Sequence, residues 1–81
     1  MEITIYSTSI CAACETLTNW LTKNNVTFIK KVTDEDPAIM DEFMANNDGM
    51  IGVPFTVIKN NGQTIKISGF DHKKFKQALN I

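Results

Sequence analysis

Apolar and polar residues alternate at the start of the chain, where Ile3 and Ile5 are set between Glu2 and Thr4, and this predicts a strand that Ser7-Thr8-Ser9 ends. The period then changes. Ala13, Leu17, Trp20 and Leu21 fall at i, i+4, i+7 and i+8, the stripe of an amphipathic helix, which Asn24-Asn25 stops. Val26 to Val32 is rich in β-branched and aromatic residues and reads as a second strand, followed by a polar, acidic turn from Thr33 to Asp36. Pro37 suits the first position of a second helix, with Ile39, Met40, Phe43 and Met44 as its apolar stripe and Asn46 to Gly49 as its stop. A loop through Gly52 leads to Pro54. Phe55 to Ile58 and Thr64 to Ser68 read as two strands joined by a hairpin turn at Asn60-Asn61-Gly62, with Ile65 and Ile67 on one face. Asp71 is a good N-cap for a last helix whose inward face is Phe75, Ala78 and Leu79. The order βαβαββα predicts an α/β fold, a four-stranded mixed sheet flanked by three helices, in which two βα units precede an antiparallel hairpin.

Length and composition narrow the class. With 81 residues, 43% of them hydrophobic, and a formal charge of −1, the chain is expected to be one soluble domain over residues 1–81, acting as a monomer. The balanced charge argues against nucleic acid as a partner. Glu2 interrupts the apolar N-terminus, and neither a leader peptide nor a membrane span is expected, which points to a reducing, cytoplasmic setting.

That setting sharpens the meaning of Cys11-Ala12-Ala13-Cys14, which holds both cysteines of the chain and falls between the first strand and the first helix. A bridge across two intervening residues closes too small a loop to stabilise the chain much, so scaffolding explains the pair poorly. At a helix start, unpaired N–H groups and the positive end of the dipole favour thiolate over thiol. Cys11, nearest that end, is the expected nucleophile, and Cys14, one turn further in, the thiol that attacks the mixed disulfide and releases reduced substrate. Ala12 and Ala13 are small and uncharged and leave the tuning to the helix end, while Glu15 opposes thiolate formation slightly. The alternatives are half of a zinc site, an inert buried pair, or a metal-binding or redox-sensing module. No second cysteine pair exists, and His72 stands at the other end of the chain, so no metal is expected.

Three motifs in order carry a resemblance: the CxxC opening the first helix, Val53-Pro54 opening the third strand, and Ser68-Gly69-Phe70-Asp71 opening the last helix. From Met1 to about Asn80 the chain resembles thioredoxin-fold proteins of the glutaredoxin class, and within it the NrdH-type redoxins, small dithiol electron donors to ribonucleotide reductase. The resemblance implies a cis proline at Pro54 beside the reactive cysteine, with Val53 offering its backbone to substrate and Gly69-Phe70 shaping the groove. It implies no bound cofactor beyond a redox-active Cys11–Cys14 disulfide, and reducing equivalents from NADPH through thioredoxin reductase, or else from glutathione. Ser68 stands where glutathione-using members usually have the first of two glycines, which favours the NrdH type. Asp71-His72 is closer to the glutaredoxin form, since NrdH-type proteins often continue with arginine and proline. Thr8 stands where glutaredoxins tend to keep a lysine for glutathione, and the chain has no arginine to replace it. Taken alone, Ser68 to Asp71 is equally a strand-to-helix turn with a cap.

Other residues have plain readings. Trp20 fits the core stripe with a partly exposed indole; Met40 and Met44 are core filler; His72 is a neutral surface residue. Lys73, Lys74 and Lys76 form a solvated helix face, and Asp34, Glu35 and Asp36 a cap and acidic first turn. Tyr6, ending the first strand, is either a flank to Cys11 or an aromatic at the core edge.

Overall fold

The computed structural model describes residues 1–81. Its elements are β1 (Glu2–Ser7), α1 (Ala12–Lys23), β2 (Ile29–Val32), α2 (Pro37–Asn46), β3 (Phe55–Asn60), β4 (Gln63–Ser68) and α3 (His72–Leu79). The strands form one mixed sheet in the order β2-β1-β3-β4, with β1 parallel to β2 and antiparallel to β3, and β3 antiparallel to β4. The order and the mixed sheet are as the sequence predicts.

Alternation along β1 divides the core. Ile3 and Ile5 face α1 and α3, where they cluster with Leu17, Leu21, Ile58, Ile67, Phe75 and Leu79. Tyr6 faces α2 and joins Phe43, Phe55 and Val57. Chain ends of the helices follow the expected chemistry: Asp36 caps α2 by accepting from the Ala38 N–H at 2.9 Å, ahead of Pro37 at the first position. The β3–β4 turn places Asn61 and Gly62 at φ +52° and +79°, a pair of left-handed residues that a two-residue hairpin requires and that Asn-Gly supplies.

Three predicted assignments change. The second strand is shorter than Val26 to Val32, starting at Ile29, because Val26 and Phe28 turn aside to pack on the α1 face. Ala13 is exposed and Cys14 takes its place in the buried stripe with Leu17 and Leu21, an i, i+3, i+7 spacing that shares one helix face as well as the i, i+4 spacing from Ala13 does. Met44 is 65% exposed rather than core filler, because α2 buries a narrow face in which only Phe43 is enclosed, while Met40 and Ile39 pack at its border.

Candidate active site

The end of the sheet where β1 finishes and β3 begins gathers the three motifs. Ser7 is the last residue of β1, and the register that pairs Tyr6 with Phe55 brings Pro54 across from it. The loop Thr8-Ser9-Ile10 then delivers Cys11. Two contacts brace it: the Thr8 hydroxyl donates to the Ile10 carbonyl at 3.1 Å, and the Ser9 N–H and hydroxyl both donate to the Asp34 carboxylate, at 2.9 and 2.7 Å. Asp34 thus ties the cysteine loop to the β2–α2 connection rather than serving only the start of α2. The Ser9 hydroxyl holds its carboxyl below the usual carboxylate range.

Cys11 is the N-cap of α1, with extended backbone (φ −155°, ψ 99°), and its Sγ accepts the Cys14 N–H at 3.1 Å. The N–H groups of Ala12 and Ala13 find no backbone acceptor in this first turn. The helix start therefore presents its positive end at the Cys11 sulfur. Cys11 is half-buried, Ala12 and Ala13 are exposed, and Cys14 is 1% exposed. The two cysteines form a disulfide with Cα atoms 5.3 Å apart.

The Val53–Pro54 bond is cis, as the resemblance implies, with Pro54 buried and Val53 half-buried. The Pro54 carbonyl accepts the Gly69 N–H at 2.8 Å, which clamps the third motif to the second, and Gly69 turns the chain at φ +75°. Ser68 is exposed. Phe70 packs among aromatic rings, with ring centroids 5.6 Å from Trp20, 4.5 Å from His72 and 6.0 Å from Phe75. Phe70 thereby seats the turn on α1 and α3. The Asp71 carboxylate caps α3 through the Lys74 N–H at 3.2 Å, and His72 is exposed, its ring 5.0 Å from that of Trp20. Two large apolar side chains stand out at the rim of the site, Ile10 92% and Ile51 93% exposed in the two loops that flank Cys11 and Pro54.

Tyr6 takes the second of its two predicted places. Its ring lies 5.6 Å from Phe43 and 6.5 Å from Phe55 on the α2 face, and its hydroxyl donates to Glu42, which also accepts from Lys31 at 2.7 Å. Sequence reading missed this triad, whose members stand 11 and 36 positions apart. A groove of about 310 Å³ opens beside it, lined by Tyr6, Lys31, Glu42 and Lys59; Cys11 and Pro54 are not part of it. No three His, Cys, Asp or Glu side chains converge on one point, and no helix is long and apolar enough to cross a membrane.

The family model named Glutaredoxin matches residues 3–63, a span that contains the CxxC and the cis proline. The chain belongs to the glutaredoxin family. Its members are thiol-disulfide oxidoreductases, and this glutaredoxin-like chain, with its Cys11–Cys14 disulfide, is one of them. Among solved structures it is similar to a point mutant of the thioredoxin-like protein BC3987 at 28% identity, with 99% of this chain and 96% of that chain covered and a TM-score of 0.82. It also resembles the glutaredoxin from Methanosarcina mazei Go1, at 24% identity, 99% and 79% coverage and a TM-score of 0.76. The glutaredoxin-like NrdH-redoxin from Escherichia coli, whose activity profile is described as thioredoxin-like, matches at 22% identity, 95% and 93% coverage and a TM-score of 0.77. These likenesses establish the α/β thioredoxin fold. No curated protein matches the chain in sequence.

Proposed function

We propose that this glutaredoxin-family protein reduces protein disulfides by a dithiol mechanism, as a cytoplasmic electron donor of the NrdH type, with residues 1–81 acting as one monomeric domain. The observation that carries the reading is the contrast between the two sulfurs: Cys11 caps α1 at the surface and Cys14 lies sealed beneath it. Cys11 thiolate attacks a substrate disulfide, one substrate sulfur leaves with the electron pair and takes a proton, and a Cys11–substrate disulfide forms. Cys14 then attacks Cys11, the second substrate thiol leaves, and the Cys11–Cys14 disulfide closes. Val53, whose backbone enters no turn or loop hydrogen bond, offers its N–H and C=O to an extended substrate segment beside Pro54.

Thioredoxin reductase, drawing on NADPH, is the proposed reductant and ribonucleotide reductase the proposed acceptor. Thr8 spends its hydroxyl within its own loop, the Asp71 carboxylate is committed to the α3 cap, and the rim at Ile10 and Ile51 is apolar. Together these support a protein partner over an anionic tripeptide. The test is NADPH consumption with a disulfide substrate, supplied with thioredoxin reductase alone or with glutathione and glutathione reductase. Turnover with thioredoxin reductase alone is expected; turnover only with glutathione would replace the NrdH reading with a glutaredoxin one. In the same system Cys14→Ser is expected to trap substrate on Cys11, and a Cys14→Ser protein that still turns over would overturn the dithiol route.

A further inference from the structure

The polar side chains enclosed in this protein are Ser7, Thr33 and Thr56, and no charged one is buried. Thr33 donates its hydroxyl to the Ser7 carbonyl at 3.1 Å. The hydroxyls of Ser7 and Thr56 have no hydrogen-bond partner although both residues are 0% exposed. An unpaired buried hydroxyl is costly, and two at neighbouring positions point to a partner that is not always present.

Their position identifies it. Ser7 continues the Ile3–Ile5 alternation onto the face that α1 covers, and Thr56 lies on the same face, paired with Ile5 across β1–β3 and with Ile67 across β3–β4. Since Tyr6 pairs with Phe55, Ser7 and Thr56 are diagonal neighbours on this face. The α1 helix runs back along β1, and its enclosed residues Cys14, Leu17 and Leu21 descend by turns; Leu17 and Leu21 belong to the cluster that holds Ile3 and Ile5, and Cys14, at the start of the helix, lies towards the Ser7 end of β1.

We propose that Ser7 and Thr56 are positioning residues for the Cys14 sulfur: their hydroxyls are unpaired while the disulfide is closed, and donate hydrogen bonds to the Cys14 thiolate when it opens. The inference rests on Cys14 as the resolving thiol. A thiol shut off from water is reluctant to ionise, yet it must lose its proton before it attacks Cys11. No ionisable group offsets this from within the face. Glu15 and Lys23 on α1, Lys30 on β2, and His72, Lys73, Lys74 and Lys76 on α3 are exposed. Asp71 is turned to its own helix cap, and alternation sets Glu2, Lys59 and Lys66 on the opposite face of the sheet. The two hydroxyls are the donors left. In the step they assist, the Cys14 thiol gives its proton to solvent, the thiolate forms the Cys11–Cys14 bond, the Cys11–substrate bond breaks, and the departing substrate thiolate takes up a proton.

Reduced protein mixed with dithiobis(nitrobenzoate) reads the two steps separately, because attack by Cys11 releases one coloured thiolate at a rate set by reagent concentration and resolution by Cys14 releases a second in a first-order phase. Each pKa unit added to Cys14 removes about tenfold of its thiolate and returns about threefold in nucleophilicity, so resolution slows about threefold per unit at neutral pH. Ser7→Ala and Thr56→Val are each expected to slow the second phase three- to tenfold at neutral pH with the first phase unchanged. The gap is expected to close as pH rises towards the thiol pKa and to reverse, by about threefold per unit, once both thiols are ionised, and Ser7→Thr to keep the wild-type rate. Slowing of equal size at every pH, or no slowing in the nearly isosteric Thr56→Val, would overturn the proposal. Absence of a first-order phase in the wild-type protein would instead overturn Cys14 as resolver.

Discussion

The two faces of the sheet are built on opposite principles. On the α1–α3 face, eight enclosed apolar residues exclude water, and the two hydroxyls at its upper end are left without partners. On the α2 face the enclosed residues are four, three of them aromatic, and the polar groups beside them are paired: the Tyr6 hydroxyl and the Lys31 ammonium meet on Glu42 at the edge of solvent. The dry face is the one that holds Cys14. A buried thiol and unpaired hydroxyls belong to the side where water cannot substitute for a missing partner, whereas the α2 face anchors the cysteine loop only from outside, through Asp34 and Ser9.

Matching truncations are expected to break the comparison most sharply. Phe75→Ala on the dry face removes a ring that is 0% exposed, and a loss of about 4–5 kcal/mol is expected. Phe43→Ala opens a site already at the border of α2, and about 3 kcal/mol or less is expected. Urea unfolding followed by circular dichroism gives both; equal losses would mean that the α2 face is as tightly built as the other. A smaller effect of opposite sign is expected for Thr56→Val, which removes an unpaired buried hydroxyl: a gain of about 1 kcal/mol in the oxidised protein, read by the same titration. Loss of stability there would show that the hydroxyl is paired in the closed state.

The α2 face carries the pH dependence. Lys31 first, then the Tyr6 hydroxyl, hold Glu42 below the usual carboxylate range. The unfolded chain therefore takes up a proton at Glu42 before the native chain does, and this contribution is full above pH about 4.3 and lost as pH falls through the native value. Burial, and then Glu42, raise the Tyr6 phenol well above its ordinary value. Its contribution is full below pH about 10 and declines at higher pH, where the unfolded tyrosine ionises first. Unfolding midpoints across pH check both, and Tyr6→Phe is expected to flatten the alkaline limb and leave the acid limb weakened but present. The smallest effect is expected for Lys31→Met, since both partners are part-exposed: less than about 1 kcal/mol, shrinking with added salt.

The order of elements, the CxxC at a helix start, the caps at Asp36 and Asp71 and the Asn61-Gly62 turn were legible in the sequence because each is a local matter of period, cap and turn chemistry. Sequence periodicity did not tell Ala13 from Cys14, because either can begin a stripe ending in Leu17 and Leu21. Which of the two is enclosed depends on what packs over the start of α1. Nor could it choose between the two places for Tyr6, or find its pairing with Glu42, since strand alternation says that successive residues face opposite ways without saying what covers each side. The sequence by itself thus determined which elements form and that two thiols sit at a helix start. Only the tertiary structure decided that Cys14 rather than Ala13 enters the sealed stripe, which face is dry, and which hydroxyls are left unpaired, because burial and hydrogen-bond partnership are properties of what packs opposite a residue, and those neighbours are distant in the chain.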